Sequence, residues 1–227
     1  MNSFLYTQSQ RWDRIISKFS LLDTDPEPHI IDFLNGRYGQ LGIKGIDIGC
    51  GFGRHSLIAA KQGYDITSVD FSQKALEKTN LLFNSHGFSA KTILASMDNL
   101  LFDSDSFDFN ICWCVLNHGT KSLFYKSLSE SFRILKKGGV SIGLVMSKED
   151  SRFGKGNYIE KDCYMFDQGL EKGICHYFPT YERLFTVLKS FGDIIELEGI
   201  FSNDDALISY HPELSISAHI LYVVKKH

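Results

Sequence analysis

Short apolar runs alternate with longer amphipathic stretches through most of this chain. The pattern predicts strands at Gly45–Gly49, Asp65–Asp70, Lys91–Ala95, Phe107–Cys114 and Val140–Met146. Between them it predicts helices at Arg54–Gln62, Gln73–His86 and Lys121–Leu135. Strict strand–helix alternation implies right-handed crossovers and a parallel sheet, and runs with little internal alternation fit strands covered on both faces. Before the first strand, Trp12, Ile15, Ile16 and Phe19 recur at helical spacing. That helical pattern breaks at Asp25-Pro26-Glu27-Pro28, and a short helix from His29 to Asn35 follows. The tail changes character. Thr180 caps a predicted helix from Tyr181 to Phe191, and strands at Asp193–Ile200 and Ile216–Lys225 flank the loop Ser202–Leu214. Two strands with no helix between them form a hairpin, so one must run antiparallel to the rest.

The segment from Ser147 to Pro179 fits neither period. It is long for a connection inside a compact domain, and such loops are usually functional or disordered. Its content of Phe153, Tyr158, Tyr164, Phe166, Tyr177 and Phe178 argues against disorder. We read it as a lid over a binding site. Lys136-Lys137-Gly138-Gly139 reads as the stop of the preceding helix, cations and glycine at its negative end.

The densest chemical signal is Asp47-Ile48-Gly49-Cys50-Gly51-Phe52-Gly53, at the junction of the first predicted strand and helix. Glycines at alternate positions permit left-handed backbone angles and let a ligand lie on the main chain. The spacing is not the G-x-G-x-x-G of a dinucleotide site. Asp47 also adds negative charge where a phosphate would sit, so a cationic nucleoside suits the loop better. The next strand ends in Asp70, close to the ~20-residue offset at which a carboxylate reaches ribose hydroxyls.

These two segments, D-x-G-x-G-x-G and Val69-Asp70-Phe71-Ser72, resemble the first two motifs of the class I S-adenosylmethionine (SAM)-dependent methyltransferases. Arg133-Ile134-Leu135-Lys136-Lys137-Gly138-Gly139 is similar to that family's R-x-L-K-P-G-G turn, with Lys137 in place of proline. The likeness spans about residues 40 to 225. It implies an α/β fold: a Rossmann-like seven-stranded sheet, mostly parallel, with an antiparallel C-terminal hairpin and helices on both faces. It also implies one methyltransferase domain over 1–227, made of a helical cap (1–37), a SAM-binding core (38–146), a substrate lid (147–179) and a C-terminal helix and hairpin (180–227).

The resemblance assigns roles by position. Gly49, Cys50 and Gly51 would receive the amino-acid end and ribose edge of SAM, and Asp47 would orient the loop and favour the ligand's positive charge. Asp70 would accept from both ribose hydroxyls. Phe71 would lie on the adenine, or serve as an ordinary core residue. Where family members carry an acid for the adenine amino group this chain has Ser96. Either Ser96 accepts weakly or Asp98 reaches in, while Met97 offers its backbone N–H. Main-chain carbonyls of Cys112 or Trp113 would hold the SAM amino group. Arg54 and His55 would meet the SAM carboxylate or stand solvated; a G-R-H start occurs in small-molecule and chalcogen methyltransferases. Trp12 is either packing or a wall of the SAM pocket.

Asn117 and His118 follow the fourth strand, on the edge where open α/β sheets bind ligands. Imidazole ordinarily titrates near pH 6.5, so a histidine there could take a proton from an attacking hydroxyl or thiol, or could anchor the loop. His176, in the lid, is the second candidate. The N-P-P-Y or D-P-P-Y motif of base and amide methylation is absent.

Composition narrows the field further. A 43% hydrophobic, 22% charged chain of 227 residues is ordinary for a globular domain. Net charge is −3 with no basic stripe, which disfavours a nucleic-acid partner. No apolar run reaches the ~20 residues of a membrane helix. Five cysteines without a C-x-x-C pair suggest free thiols in a cytoplasmic setting and no metal site. The expected activity is methyl transfer from SAM to a small molecule. A macromolecular acceptor, a non-catalytic SAM-binding partner and a nicotinamide oxidoreductase are the alternatives; oligomeric state is left open.

Overall fold

A computed structural model describes residues 3–18, 25–202 and 216–227. The elements run α1 (Ser3–Ile16), α2 (Pro28–Leu34), β1 (Lys44–Ile48), α3 (Arg54–Lys61), β2 (Asp65–Asp70), α4 (Gln73–Ser85), β3 (Lys91–Leu94) and β4 (Phe107–Trp113). They continue α5 (Lys121–Arg133), β5 (Leu135–Met146), β6 (Asn157–Glu160), β7 (Cys163–Met165), β8 (Cys175–Tyr177), α6 (Tyr181–Lys189), β9 (Gly192–Ser202) and β10 (Ser217–Lys226). The loop expected at Ser202–Leu214 lies, but for Ser202, outside the described residues.

Seven strands form one sheet in the order β3-β2-β1-β4-β5-β10-β9. β1 through β5 pair in parallel, while β10 runs antiparallel to both β5 and β9. This is a Rossmann-like sheet with an antiparallel C-terminal hairpin, and it follows from the pattern. Ile46, Ile48, Phe109, Ile111 and Ile142 are fully buried or nearly so, as sheet covered on both faces requires. Helix starts carry their own signals. Ser72, Thr120 and Thr180 each accept a backbone N–H from three residues on, at 3.1, 3.3 and 3.3 Å. The order reverses between β1 and β4, so their carboxyl ends open a crevice there.

Two local expectations differ. The helix before β5 stops at Arg133, and Lys136–Gly139 belongs to a bulged start of β5, where the β4–β5 register shifts between Phe107 and Phe109. Gly138 at φ +77° lets the chain turn there. The 147–179 insertion is not a plain loop either. β6, β7 and β8 make a three-stranded antiparallel sheet of their own. Backbone bonds tie it to the core: Tyr177 N–H donates to Asn117 O at 2.9 Å, and His118 and His176 form an antiparallel bridge.

Candidate active site

The loop after β1 is held from behind. Asp47 is buried and accepts a hydrogen bond from Ser56 Oγ at 2.7 Å, and Ser68 Oγ donates to Ser56 Oγ at 2.8 Å. These contacts lash the first turn of α3 to β1 and β2. Burial raises the Asp47 carboxyl to about 6. Asp47 therefore lies beneath the loop and lines neither cavity at the sheet edge.

Asp70 closes the loop from the side. Its Oδ2 accepts from Gly51 N–H at 3.0 Å and its Oδ1 from Ser72 N–H at 2.9 Å. Burial pushes the carboxyl up against those backbone bonds. Phe71 N–H also bonds the carboxylate, which leaves part of its acceptor capacity for a ligand.

Two cavities meet at this edge. The first is lined by Gly49, Gly51, Asp70, Phe71, Ser96 and Met97, with Trp12 and His118 at its far wall. The second lies under α2 and the insertion, and its walls include Cys50, Arg54, His55, Trp113, Asn117, Arg152 and Glu171. Trp12, Ile16, Gly49, Gly51, Cys114 and His118 border both. The Trp12 and His118 rings stand 4.7 Å apart on that border. Helix α1 is clamped across the first cavity: Ser9 Oγ donates to Phe71 O at 3.0 Å, and Gln8 Nε2 donates to Gly173 O of the insertion at 3.2 Å.

The cavities thus gather most of the residues singled out above but not all. Asp98 turns away, accepting from Ser96 Oγ and from Lys126 Nζ at 2.9 Å, and lines neither cavity. Burial would raise its carboxyl, but the bonds from Ser96 and Lys126 bring it below the usual range. Cys112 is sealed in the core, where burial pushes its thiol up to about 12; its neighbours Trp113 and Cys114 reach the cavities instead. Arg54 pairs with Glu27 at 2.9 Å. His55 is buried, accepts from Glu27 N–H at 3.4 Å, and burial drives its imidazole well below the usual value. Both side chains pin the segment before α2.

The insertion supplies a polar wall rather than an aromatic one. Phe153, Tyr164, Phe166 and Phe178 pack on one another and on Met146. Facing the second cavity instead are Arg152 and Glu171, which the pattern of residues did not single out. The signal for Glu171 was an acid between two glycines, in the insertion that also carries His176. His176 is fully buried behind Glu171, stacked on Phe166 with centroids 4.2 Å apart. Its Nε2 stands 3.2 Å from Glu171 Oε2, and His118 Nε2 stands 3.7 Å from Glu171 Oε1. Burial lowers His176, with Glu171 opposing. Burial would raise Glu171, but the neighbouring imidazoles hold it well below the usual carboxylate range. Arg152 is buried on two bonds to Asp150, at 2.8 and 2.9 Å.

Residues 46–139 match the family model described as a methyltransferase domain. Over that stretch the chain is similar to a methyltransferase domain. Over 138 residues it is 27% identical to the uncharacterized methyltransferase YbaJ of Bacillus subtilis, covering 57% of this chain and 47% of that protein. Over 111 residues it is 30% identical to the ubiquinone biosynthesis O-methyltransferase of Azoarcus sp., covering 48% and 47%. The chain spans about half the length of the curated relatives it matches. A SAM-dependent methyltransferase structure from Methanosarcina mazei superposes with a TM-score of 0.71 at 22% identity, covering 89% of this chain and 98% of that one. That last likeness establishes the fold. The first cavity suits the cofactor of the domain on its own evidence. A Cβ built on Gly51 meets nothing within 4 Å, so the loop leaves open space beside its backbone, and Asp70 keeps part of its acceptor capacity unused.

Proposed function

We propose that this protein transfers the methyl group of SAM to a small-molecule acceptor seated in the second cavity. One observation carries the reading: two cavities share the wall of Trp12, Ile16, Gly49, Gly51, Cys114 and His118, so a sulfonium in one could face a nucleophile in the other. Asp70 would take the ribose hydroxyls and Phe71 would lie against adenine. Ser96, its proton given to Asp98, would accept from the adenine amino group. The cofactor brings an already activated methyl. The protein aligns the acceptor and excludes water, an effect worth roughly 7–11 kcal/mol of barrier when geometry is good. The second cavity is walled in part by the insertion, through Arg152, Leu170 and Glu171, and with Asn117 it carries polar groups that fix the orientation of a small ligand better than they bind a polymer. The Azoarcus relative, named as an O-methyltransferase of ubiquinone biosynthesis, agrees with a small acceptor.

Incubation with methyl-labelled SAM and a panel of hydroxyl-, thiol- and amine-bearing small molecules tests this. Label should appear in a subset of the panel. Label confined to protein or nucleic acid would refute the acceptor class, and binding of S-adenosylhomocysteine (SAH) without any transfer would refute the enzyme.

A further inference from the structure

At the border of the two cavities His118, Glu171 and His176 come from three different segments of chain, and their donor atoms lie within 4.8 Å of one another. His118 Nε2 lies 3.7 Å from one oxygen of Glu171, Oε1, and His176 Nε2 lies 3.2 Å from the other, Oε2. Nitrogen and oxygen ligands about 2.0–2.2 Å from a tetrahedral cation stand roughly 3.4 Å apart.

The hydrogen-bond geometry shows what the cluster lacks. His176 Nδ1 lies 3.3 Å from the carbonyl oxygen of Ile174, which can only accept, so when the ring is neutral its proton sits on Nδ1. Nε2 then points a lone pair at Glu171 Oε2, and neither atom has a properly directed hydrogen-bond partner among the described residues. Two acceptors 3.2 Å apart in a buried site repel unless something positive lies between them. Arg152 does not supply it. Its Nη1 is 4.0 Å from Glu171, and its charge is already met by Asp150. An imidazole that donates its other nitrogen to a backbone carbonyl is the usual posture of a metal-bound histidine.

We propose that His118 Nε2, Glu171 and His176 Nε2 form a divalent transition-metal site of the two-histidine, one-carboxylate type, with Zn2+ as the reference ion. Such a donor set leaves coordination positions open. His118 borders both cavities and Glu171 the second, so those positions face the proposed acceptor. This catalytic part rests on the methyltransferase reading; the metal site does not. A hydroxyl or thiol bound to the cation would lose its proton to solvent. The resulting anion would form a bond to the methyl carbon as the carbon–sulfur bond breaks, its electron pair staying on sulfur to give SAH. The cation would then do what a proton-accepting His118 otherwise does.

The test strips the full chain with a chelator and titrates Zn2+ by calorimetry, with SAH binding measured on the same samples. About one Zn2+ per chain is expected. Glu171→Gln and His176→Ala should weaken it by at least about tenfold, since even outer-shell losses cost 10–100-fold. SAH binding should persist in both. The rival ligands are the buried thiols of Cys163 and Cys175, 2.9 Å apart, so the paired Cys163→Ser and Cys175→Ser change should leave the Zn2+ affinity unaltered. Co2+ in the wild-type chain should show ligand-field absorption without a thiolate charge-transfer band, which decides the ligands even if a variant fails to fold. No Zn2+ uptake, undiminished affinity in Glu171→Gln, or a thiolate band would each overturn the site. Zn2+ uptake without SAH binding would spare it and sink the methyltransferase reading instead.

Discussion

Gly51→Ala separates a glycine kept for a ligand from one kept for the fold. Gly51 sits at φ +57° and its N–H bonds to Asp70, a bond alanine would retain. Forcing an L-residue into the left-handed region costs about 1–2 kcal/mol. Alanine returns roughly 0.4–1 kcal/mol of this by stiffening the unfolded chain. Nothing within 4 Å meets the new methyl, so packing adds no cost. A net loss near 1 kcal/mol lowers Tm by about 2–4 °C in a protein of this size. Gly49→Ala is the contrast. Gly49 sits at φ +70°, and its Cβ would fall 2.2 Å from Val115 Cγ2, so overpacking adds roughly 1–3 kcal/mol. SAH at 100-fold its Kd should stabilise the wild type by about 2.7 kcal/mol. In Gly51→Ala the methyl would occupy space assigned to the ligand and weaken SAH by about 5- to 150-fold, the same 1–3 kcal/mol of overpacking. Thermal unfolding with and without SAH, followed by calorimetry, reads both effects. Wild-type SAH affinity in Gly51→Ala would show that the ligand does not lie on this loop. A Tm loss as large as that of Gly49→Ala would show that the space beside Gly51 is not open.

Three further outcomes follow from the same geometry. Asp70→Ala should weaken SAH by about 1.5–3 kcal/mol, the worth of bonds to a charged group, and should lower Tm because backbone donors lose their acceptor; calorimetry on the folded variant would refute the ribose role if affinity held. Asp47→Asn should gain stability over the wild type as pH rises. A carboxyl raised from 3.8 to about 6 by the fold contributes stability below its unfolded value and loses it as pH climbs through 6, a swing of about 3 kcal/mol, and urea unfolding that gave the same difference at pH 4 and pH 8 would refute the burial argument. Asp150→Ala should cost about 3–5 kcal/mol by stranding the buried Arg152 charge, whereas Asp150→Leu combined with Arg152→Met should cost clearly less; equal losses in calorimetric unfolding would contradict that account.

The sheet could be read from the chain because strand and helix periods differ and three of the helices, α4, α5 and α6, begin at a hydroxyl cap that names their start. Thr120 and Thr180 do this within three residues of chain, as does Ser72, whose hydroxyl also donates to Asp13 of α1. The errors came where two local readings compete. Lys136-Lys137-Gly138-Gly139 has every attribute of a helix stop, yet Gly138 serves a strand bulge, because the sheet can use the same left-handed residue to correct its register. In the insertion, strands of three and four residues are too short to show a period, so the segment read as a long aromatic loop and its small sheet went unseen.

The site divides along the same line. Gly49, Gly51 and Asp70 were legible because one strand–loop–helix unit and the next strand end place them, and their spacing carries the geometry. Asp47, in the same motif, was expected to orient the loop and favour the ligand's charge. Its carboxylate braces Ser56 at the start of α3 and lines neither cavity, so it acts from beneath the loop. Of the alternatives left open, Ser96 and Trp113 line the cavities, while Asp98 is drawn off by Lys126 and the Cys112 side chain is buried in the core. Glu171 could not be found at all from spacing. It reaches His118 across 53 residues of chain, and only the pairing of the insertion's last strand with the loop after β4, through the His118–His176 bridge, brings the two imidazoles to one carboxylate. A cluster assembled from three remote segments leaves no local period. What it leaves is a chemical imbalance, a lone pair facing a carboxylate, that becomes visible once the fold is known.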